Sequence, residues 1–426
     1  MIIRDAIRSL RKDRTRSFFY WLTFLLTSMF FLLFFSVLYS DARGTTFIES
    51  NEDMFGTFII VSVLIICFVA ILFANDFFVK NKASEIAVRL VCGATFIQIA
   101  GYLLVQTFLL LAIAIPIGIL LTMLMIPLLN TVFTALMHQP FTITIGGDAV
   151  RMTTIMIVAE IAWTTMLNLS FAYVNTIATM MNPNRSLKEK RSTFGGVFAR
   201  IPPIVLQVLA TALFIIPIVN MFTSEVPAVS LACFSLVGFY FFVDHVVIAY
   251  EDRKVRASSN SPRLLASSGF LRTDLRILKS NYILLTANAA LLVSMICDRH
   301  EDTYQRILFL VSYILMQSLL TFAMMFRHHS EISSRTRFFR ALNRIGYMEG
   351  DLKAIVMSET VRTYGFIMAV LLLMLGCITV SYLLRGLIDF SLIIVLVVVA
   401  LVPLLLCAVI TYFYFLSMTK EVFRIL

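Results

Sequence analysis

Long uncharged apolar runs alternate with short polar stretches along almost the whole chain. A bilayer core of about 30 Å needs roughly 18–20 apolar helical residues to cross it. On that measure the pattern predicts ten spans, at about 18–40, 56–79, 99–137, 151–179, 203–222, 227–248, 282–297, 304–326, 363–384 and 389–416. The third run is nearly twice the length of a crossing at about 1.5 Å per residue. Pro116 or Pro127 is therefore expected to kink it or to start a re-entrant or interfacial piece. Before the first span, Arg4, Arg8 and Arg11 alternate with Ile7 and Leu10, which predicts a basic amphipathic helix on the membrane surface. The run Phe18–Tyr39 is too long for a signal-peptide core and lacks an A-x-A cleavage site, so it reads as a retained span.

Two polar connectors stand out. EIAVRLVCGAT, Glu85 to Thr95, lies between spans 2 and 3. RFFRALNRIGYMEGD, Arg337 to Asp351, lies between spans 8 and 9. Glu85 and Arg89 are four apart, the spacing of a helical ion pair, and Gly93 is expected to end that helix in a left-handed cap. Ile86, Val88 and Leu90 supply apolar surface for membrane or partner, while Arg337, Arg340 and Arg344 form a basic face in the second connector that reads as either lipid-anchoring or partner-facing. Setting Gly93 against Gly346 places Gln106 against Glu359, each early in the next span. The linker from Tyr250 to Asn281, with its SSNSP stretch, reads as flexible and ends in a second basic helix carrying Arg272 and Arg276. The chain thus divides into a first repeat over 1–180 (spans 1–4), a linker and hairpin over 181–262 (spans 5–6), and a second repeat over 263–426 (spans 7–10). An even number of spans separates the repeats, so they are parallel rather than inverted.

Composition agrees. Of 426 residues, 60% are hydrophobic and 14% charged, with a mean hydropathy of +0.91, which identifies an all-α polytopic membrane protein. A net charge of +10 suggests nucleic acid until the charges are located. With the N- and C-termini in the cytoplasm, 30 of the 35 Lys and Arg fall on the cytoplasmic side. Positive charge is retained on that side during insertion, so this asymmetry sets the orientation, and no nucleic acid need be invoked. The six cysteines show no C-x-x-C spacing, and no zinc-binding His pattern, nucleophile elbow or G-x-x-x-x-G-K-[ST] phosphate loop occurs. No catalytic residue, metal site or nucleotide site is expected in this chain.

The connector E-I-A-V-R-L-V-C-G-A-T, following a basic N-terminal helix, resembles that of the FtsX-like permease family of ABC transporters. Ten spans with a second, looser connector resemble the bacitracin-resistance (Bce-type) permeases. Asp298 to Tyr304 leaves no room between spans 7 and 8 for the large outer domain of those relatives. The second connector also departs from the motif, with Phe338 at the place of Glu85 and Tyr347-Met348 at the place of Ala94-Thr95. The resemblance implies ten helices in two FtsX-like repeats joined by the hairpin, in a bacterial cytoplasmic membrane. It further implies that Glu85, Arg89, Gly93, Ala94, Arg337, Arg344, Gly346 and Asp351 face a separate ATPase, two copies per permease, which binds ATP and Mg. A membrane sensor kinase is a further expected partner, alongside the bilayer itself.

Within the spans, Glu160 is the most informative residue. It lies nine positions after Arg151, with Thr164 and Asn168 on the same stripe. Intramembrane carboxylates are costly and face a cavity or a partner. The stripe reads either as a polar path or as hydrogen-bonding glue between helices. Asp244, His245 and Arg151 are expected to snorkel to the interfaces. Two functions follow: export, membrane extraction or sensing of an amphipathic, antimicrobial-peptide or lipid-like cargo, or a non-transporting mechanotransmitter that regulates a sensor kinase or wall hydrolase. A continuous polar path from Glu160 favours the first, and a sealed bundle favours the second.

Overall fold

In the computed structural model the described residues are 2–39, 53–137, 142–174, 202–223, 228–257, 262–298, 303–330 and 332–424. They are helical with no strand, and ten helices are long and apolar enough to cross a membrane. The chain is a multi-pass membrane protein. This outcome follows from the solvent. A bilayer offers backbone N–H and C=O groups no partners, so a spanning segment must satisfy them internally.

The chain divides into two compact units, one of residues 1–193 with 303–319, the other of 194–302 with 320–426. In the first unit α1 (Ile2–Lys12) leads to α2 (Arg14–Leu38), α3 (Asp53–Val91), α4 (Phe96–Met137) and α5 (Gly147–Val174). Helix α4 packs against α1, α2 and α5. The second unit holds a hairpin of α6 (Pro203–Thr223) and α7 (Ala228–Phe242). From α7 the chain passes through a π-helical turn, Val243–Val247, into α8 (Ile248–Ala257). There follow α9 (Pro262–Ile277), α10 (Lys279–Asp298), α11 (Thr303–Ser330), α12 (Ile332–Arg344), α13 (Glu349–Leu384) and α14 (Phe390–Arg424). Helix α11 gives its first part to the first unit and the remainder to the second. Helix α13 packs against α9, α10 and α14, as α4 does against α1, α2 and α5. The long helix thus packs against a surface helix, a first span and a last span in both units.

The structure changes several sequence expectations. Helix α4 runs without interruption through Pro116 and Pro127 for 42 residues, about 63 Å at helical rise. It is one helix that outlasts the hydrocarbon core, and no separate re-entrant piece begins at either proline. Likewise α3 continues for 39 residues through Glu85 and Arg89, so the first connector is the end of span 2 rather than a separate short helix. The expected flexible linker is helical over its described parts. Helix α9 begins at Pro262, where a missing N–H costs nothing. It buries Ser267, Ser268, Leu271, Asp274 and Leu275 along one face, and Arg272 pairs with Asp252 of α8. Positions 258–261 lie outside the described residues. Asp244 is not merely snorkelling either. It pairs with Lys279 at the start of α10, and the Lys279 ammonium also sits over the Tyr240 ring.

Two glycines permit close helix crossings. A side chain at Gly118 would meet Ser28 and the Leu25 carbonyl of α2, and one at Gly238 would meet the Leu213 backbone of α6. Small residues let backbones approach where lipid supplies no hydrophobic drive between helices. Gly238→Val must push back a main-chain carbonyl rather than a flexible side chain. It should destabilise the protein by roughly 1–3 kcal/mol, seen as a lower melting temperature in detergent, whereas Gly269→Ala, with open space around it, should leave melting nearly unchanged.

Candidate functional site

The connector turns are built alike. At the end of α3, Gly93 adopts φ 90°, its N–H donates to the Leu90 carbonyl, and the Ala94 N–H reaches back to Arg89. At the end of α12, Gly346 adopts φ 107°, its N–H donates to Asn343, and the Tyr347 N–H reaches back to Leu342. Both are left-handed helix stops that satisfy the last carbonyls, a conformation costly for residues with a Cβ. The following helices start alike too. The Thr95 N–H donates to Gln98 Oε1 (3.0 Å), and the Met348 N–H to Asp351 Oδ2 (3.1 Å). The N3 side chain therefore caps the N-terminus in both. Thr95 adds the reciprocal bond through its hydroxyl (3.4 Å). Met348 has no such group, which is the chemical content of the departure at that place.

Behind the first turn lies a polar node that the sequence did not disclose. Glu85 receives hydrogen bonds from Arg89 (3.1 Å), Tyr102 of α4 (2.8 Å) and Ser9 of α1 (3.1 Å). The Arg89 guanidinium lies 4.0 Å from the Tyr102 ring centre. Lys82 is 1% exposed. Its ammonium donates to Ser9 (3.1 Å) and to Gln106 Oε1 (2.8 Å), and faces the Phe78 ring at 4.6 Å. Three helices distant in sequence are joined here, α1, α3 and α4. Burial pushes the Glu85 carboxyl up, but the bonds from Tyr102 and Arg89, the Lys82 charge and the Ser9 bond outweigh it and leave its pKa below the usual value. Ser9, Lys82 and Tyr102 escaped the sequence reading. The available signal was a lysine three positions before Glu85, in the polar end of a helix whose first part is apolar.

Around the turns the surface is apolar and exposed. Val88, Val91, Phe96 and Ile97 project at the first, and Phe338, Ile345 and Met348 at the second. Ile86 instead turns fully inward. Arg340 and Arg344 are exposed, which gives the second turn a basic flank. Arg337 belongs to α12, but its side chain lies outside the described residues.

Glu160, Thr164 and Asn168 are all fully buried. Thr27 of α2 donates to Glu160 Oε1 (2.5 Å), Asn168 donates to Thr107 of α4 (2.9 Å), and the Thr164 hydroxyl bonds back to the Glu160 carbonyl (2.7 Å). The stripe faces two neighbouring helices. A groove of about 630 Å³ lined by Phe96, Ala162, Met166, Leu169 and Tyr173 runs along the opposite side of α5 and is almost wholly apolar.

A carboxylate whose folded pKa lies below its unfolded one contributes stability above the unfolded pKa and loses it as pH falls through the folded value. The docking of α1 through Ser9 and Glu85 should therefore be strongest above the ordinary carboxylate range, begin to weaken as pH falls into that range, and lose this contribution as pH falls through the lower folded value. Hydrogen exchange of α1 across pH, corrected for intrinsic rates, measures this. Glu85→Gln should remove the acid step.

Residues 57–181 match the family described as FtsX-like permease C-terminal. The match takes in most of α3 and all of α4 and α5, hence the first turn, Glu85, Arg89, Gly93, Ala94 and the Glu160 stripe. No curated protein matches the chain. Spans 2 to 4 of this ten-span membrane protein are thus similar to an FtsX-like permease domain.

Proposed function

We propose that this protein is the permease subunit of an ABC transporter, driven by a separate ATPase that docks on the two glycine turns. The observation that carries this reading is their duplication. Each turn pairs a left-handed glycine stop with an N3 cap, a rim of exposed apolar side chains and a long helix running on into the membrane. A rigid helix with a braced base transmits displacement, whereas a loose loop absorbs it. Glu85, Arg89, Gly93 and Ala94 would form one docking surface, and Arg337, Arg344, Gly346 and Asp351 the other. ATP and Mg would reside in the partner. The cargo class we favour is amphipathic or lipid-like, antimicrobial peptides included, because the groove along α5 is mostly apolar, with Thr165 and Ser170 as its polar lining.

A second reading has its own observation. Glu160, Thr164 and Asn168 are sealed against α2 and α4, which suits a mechanotransmitter that passes ATP-driven motion to a membrane partner such as a sensor kinase or wall hydrolase.

Native mass spectrometry of the purified complex tests the first reading. One copy of this chain should carry two ATPases, and Gly93→Val, which strains the first turn, should leave predominantly one. Two copies of this chain with two ATPases, or an undiminished complex in the variant, would refute docking on duplicated turns. Glu160→Gln separates the two functions. Gln keeps the size and the bond to Thr27 but removes the charge. Changed cargo resistance with intact ATPase docking supports transport through the stripe, and unchanged resistance and regulation leaves the stripe as helix glue and favours the mechanotransmitter.

A further inference from the structure

In the second unit, Asp274 of α9, His328 of α11 and Glu359 of α13 converge. Each is at most 2% exposed, and one ligand atom from each lies within 4.8 Å of the other two. His328 Nε2 and Asp274 Oδ2 are 3.3 Å apart. The Thr363 hydroxyl, one helical turn beyond Glu359, lies 3.5 Å from the same Asp274 oxygen. The imidazole is held in place by its surroundings. Phe415 meets it edge-on at 5.2 Å and Tyr364 flanks it at 5.9 Å, while His329 and Tyr364 both bond Thr411.

The register of the two units gives this cluster its meaning. Glu359 lies thirteen residues after Gly346, as Gln106 lies thirteen after Gly93. In the first unit Gln106 accepts a hydrogen bond from the buried Lys82 ammonium, which also bonds the surface helix through Ser9. A fixed cation thus ties α1 to α4. In the second unit the equivalent long helix presents a carboxylate, and the surface helix presents another. Two carboxylates brought together at low dielectric repel strongly unless a positive species stands between them. Arg362 of α13 is half-buried and bonds Ser267 of α9 (3.4 Å), and Arg327 precedes His328 on α11. Among the described residues, these two guanidinium groups are competing counter-charges.

We propose that Asp274, His328 and Glu359 bind a divalent transition-metal ion of the Zn²⁺ class, which clips α9 to α11 and α13 as Lys82 ties α1 to α4. Two carboxylates and one imidazole match ions of borderline softness, whereas Mg²⁺ and Ca²⁺ prefer oxygen alone. Metal–ligand bonds of about 2.0–2.2 Å separate adjacent ligands in a tetrahedral site by about 3.3 Å. The His328–Asp274 pair already has that spacing, and Glu359 closes on the ion by a rotamer adjustment. Water or the Thr363 hydroxyl fills the fourth position. Three ligands from three helices make the site a structural brace for the base of the second turn. It requires neither an ATPase nor a cargo, so it stands whether or not the proposed function holds.

The test uses the full chain in lipid nanodiscs, purified through a tag without histidine and stripped with a chelator. Equilibration with Zn²⁺ followed by gel filtration and elemental analysis should recover one ion per chain, and Zn²⁺ should raise the melting temperature. His328→Gln and Glu359→Gln each remove a direct ligand, so neither variant should retain the ion through gel filtration or show the thermal shift. Lys82→Met, in the other unit, should leave Zn²⁺ binding unchanged. Should the variants fold poorly, Mn²⁺ bound to the wild-type chain should show imidazole nitrogen coupling in pulsed electron paramagnetic resonance. A wild-type chain that retains no ion, ions that both variants retain, or bound Mn²⁺ without nitrogen coupling would each overturn the site. The cluster would then be a hydrogen-bonded ion pair neutralised by protons or by Arg327 and Arg362.

Discussion

The buried ammonium of Lys82 is the contact on which the geometry of the first turn depends. Removing a charge from water costs several kcal/mol unless excellent partners replace the hydration shell. Ser9, Gln106 and the Phe78 ring supply those partners from α1, α4 and α3 itself. The charge can stay buried only while the three helices keep their places, so they are held together by the consequence of parting. Glu85 sits one turn further along α3 and completes the node by drawing Tyr102 and Arg89 to the same point. The exposed glycine turn is therefore a short rigid cap on a braced helix.

Long helices extend that logic into the membrane. Helices α4 and α13 run 42 and 36 residues from their turns without an assigned break, beyond the roughly 20 that a bilayer requires. Within the bilayer, side-chain hydroxyls and amides act laterally. Thr27 with Glu160 and Thr107 with Asn168 tie α5 to α2 and α4, and Tyr364 with Thr411 ties α13 to α14. Motion imposed at a turn would pass along a helix whose sides are hydrogen-bonded to its neighbours. Both functional readings require that property. They differ only in whether the sealed stripe opens.

The two units place different chemistry behind similarly built turns. The glycine stop, the N3 cap and the packing of surface helix on long helix recur, because helix termination and close packing tolerate few alternatives. The polar groups behind the turns differ. Where the first unit has Lys82 against Gln106, the second has Asp274, His328 and Glu359, and any charge-balanced arrangement can hold two helices together.

The ten spans, the left-handed stop at Gly93 and the Glu85–Arg89 pair were legible in the sequence because each is local. Hydropathy over about twenty residues, a helix stop and an i,i+4 spacing need no knowledge of neighbours. Helix length was less legible. Nothing within the apolar run of α4 says that Pro116 and Pro127 leave it continuous, since neighbouring helices can satisfy the freed backbone groups. Burial of Lys82, the sealing of Glu160 and the meeting of Asp274 with His328 and Glu359 were decided by tertiary structure alone. Their partners stand far away in the chain, and hydropathy records how apolar a helix is without recording which way it is turned. In lipid, where both sides of a helix are apolar, that rotation is fixed only by packing against the other helices.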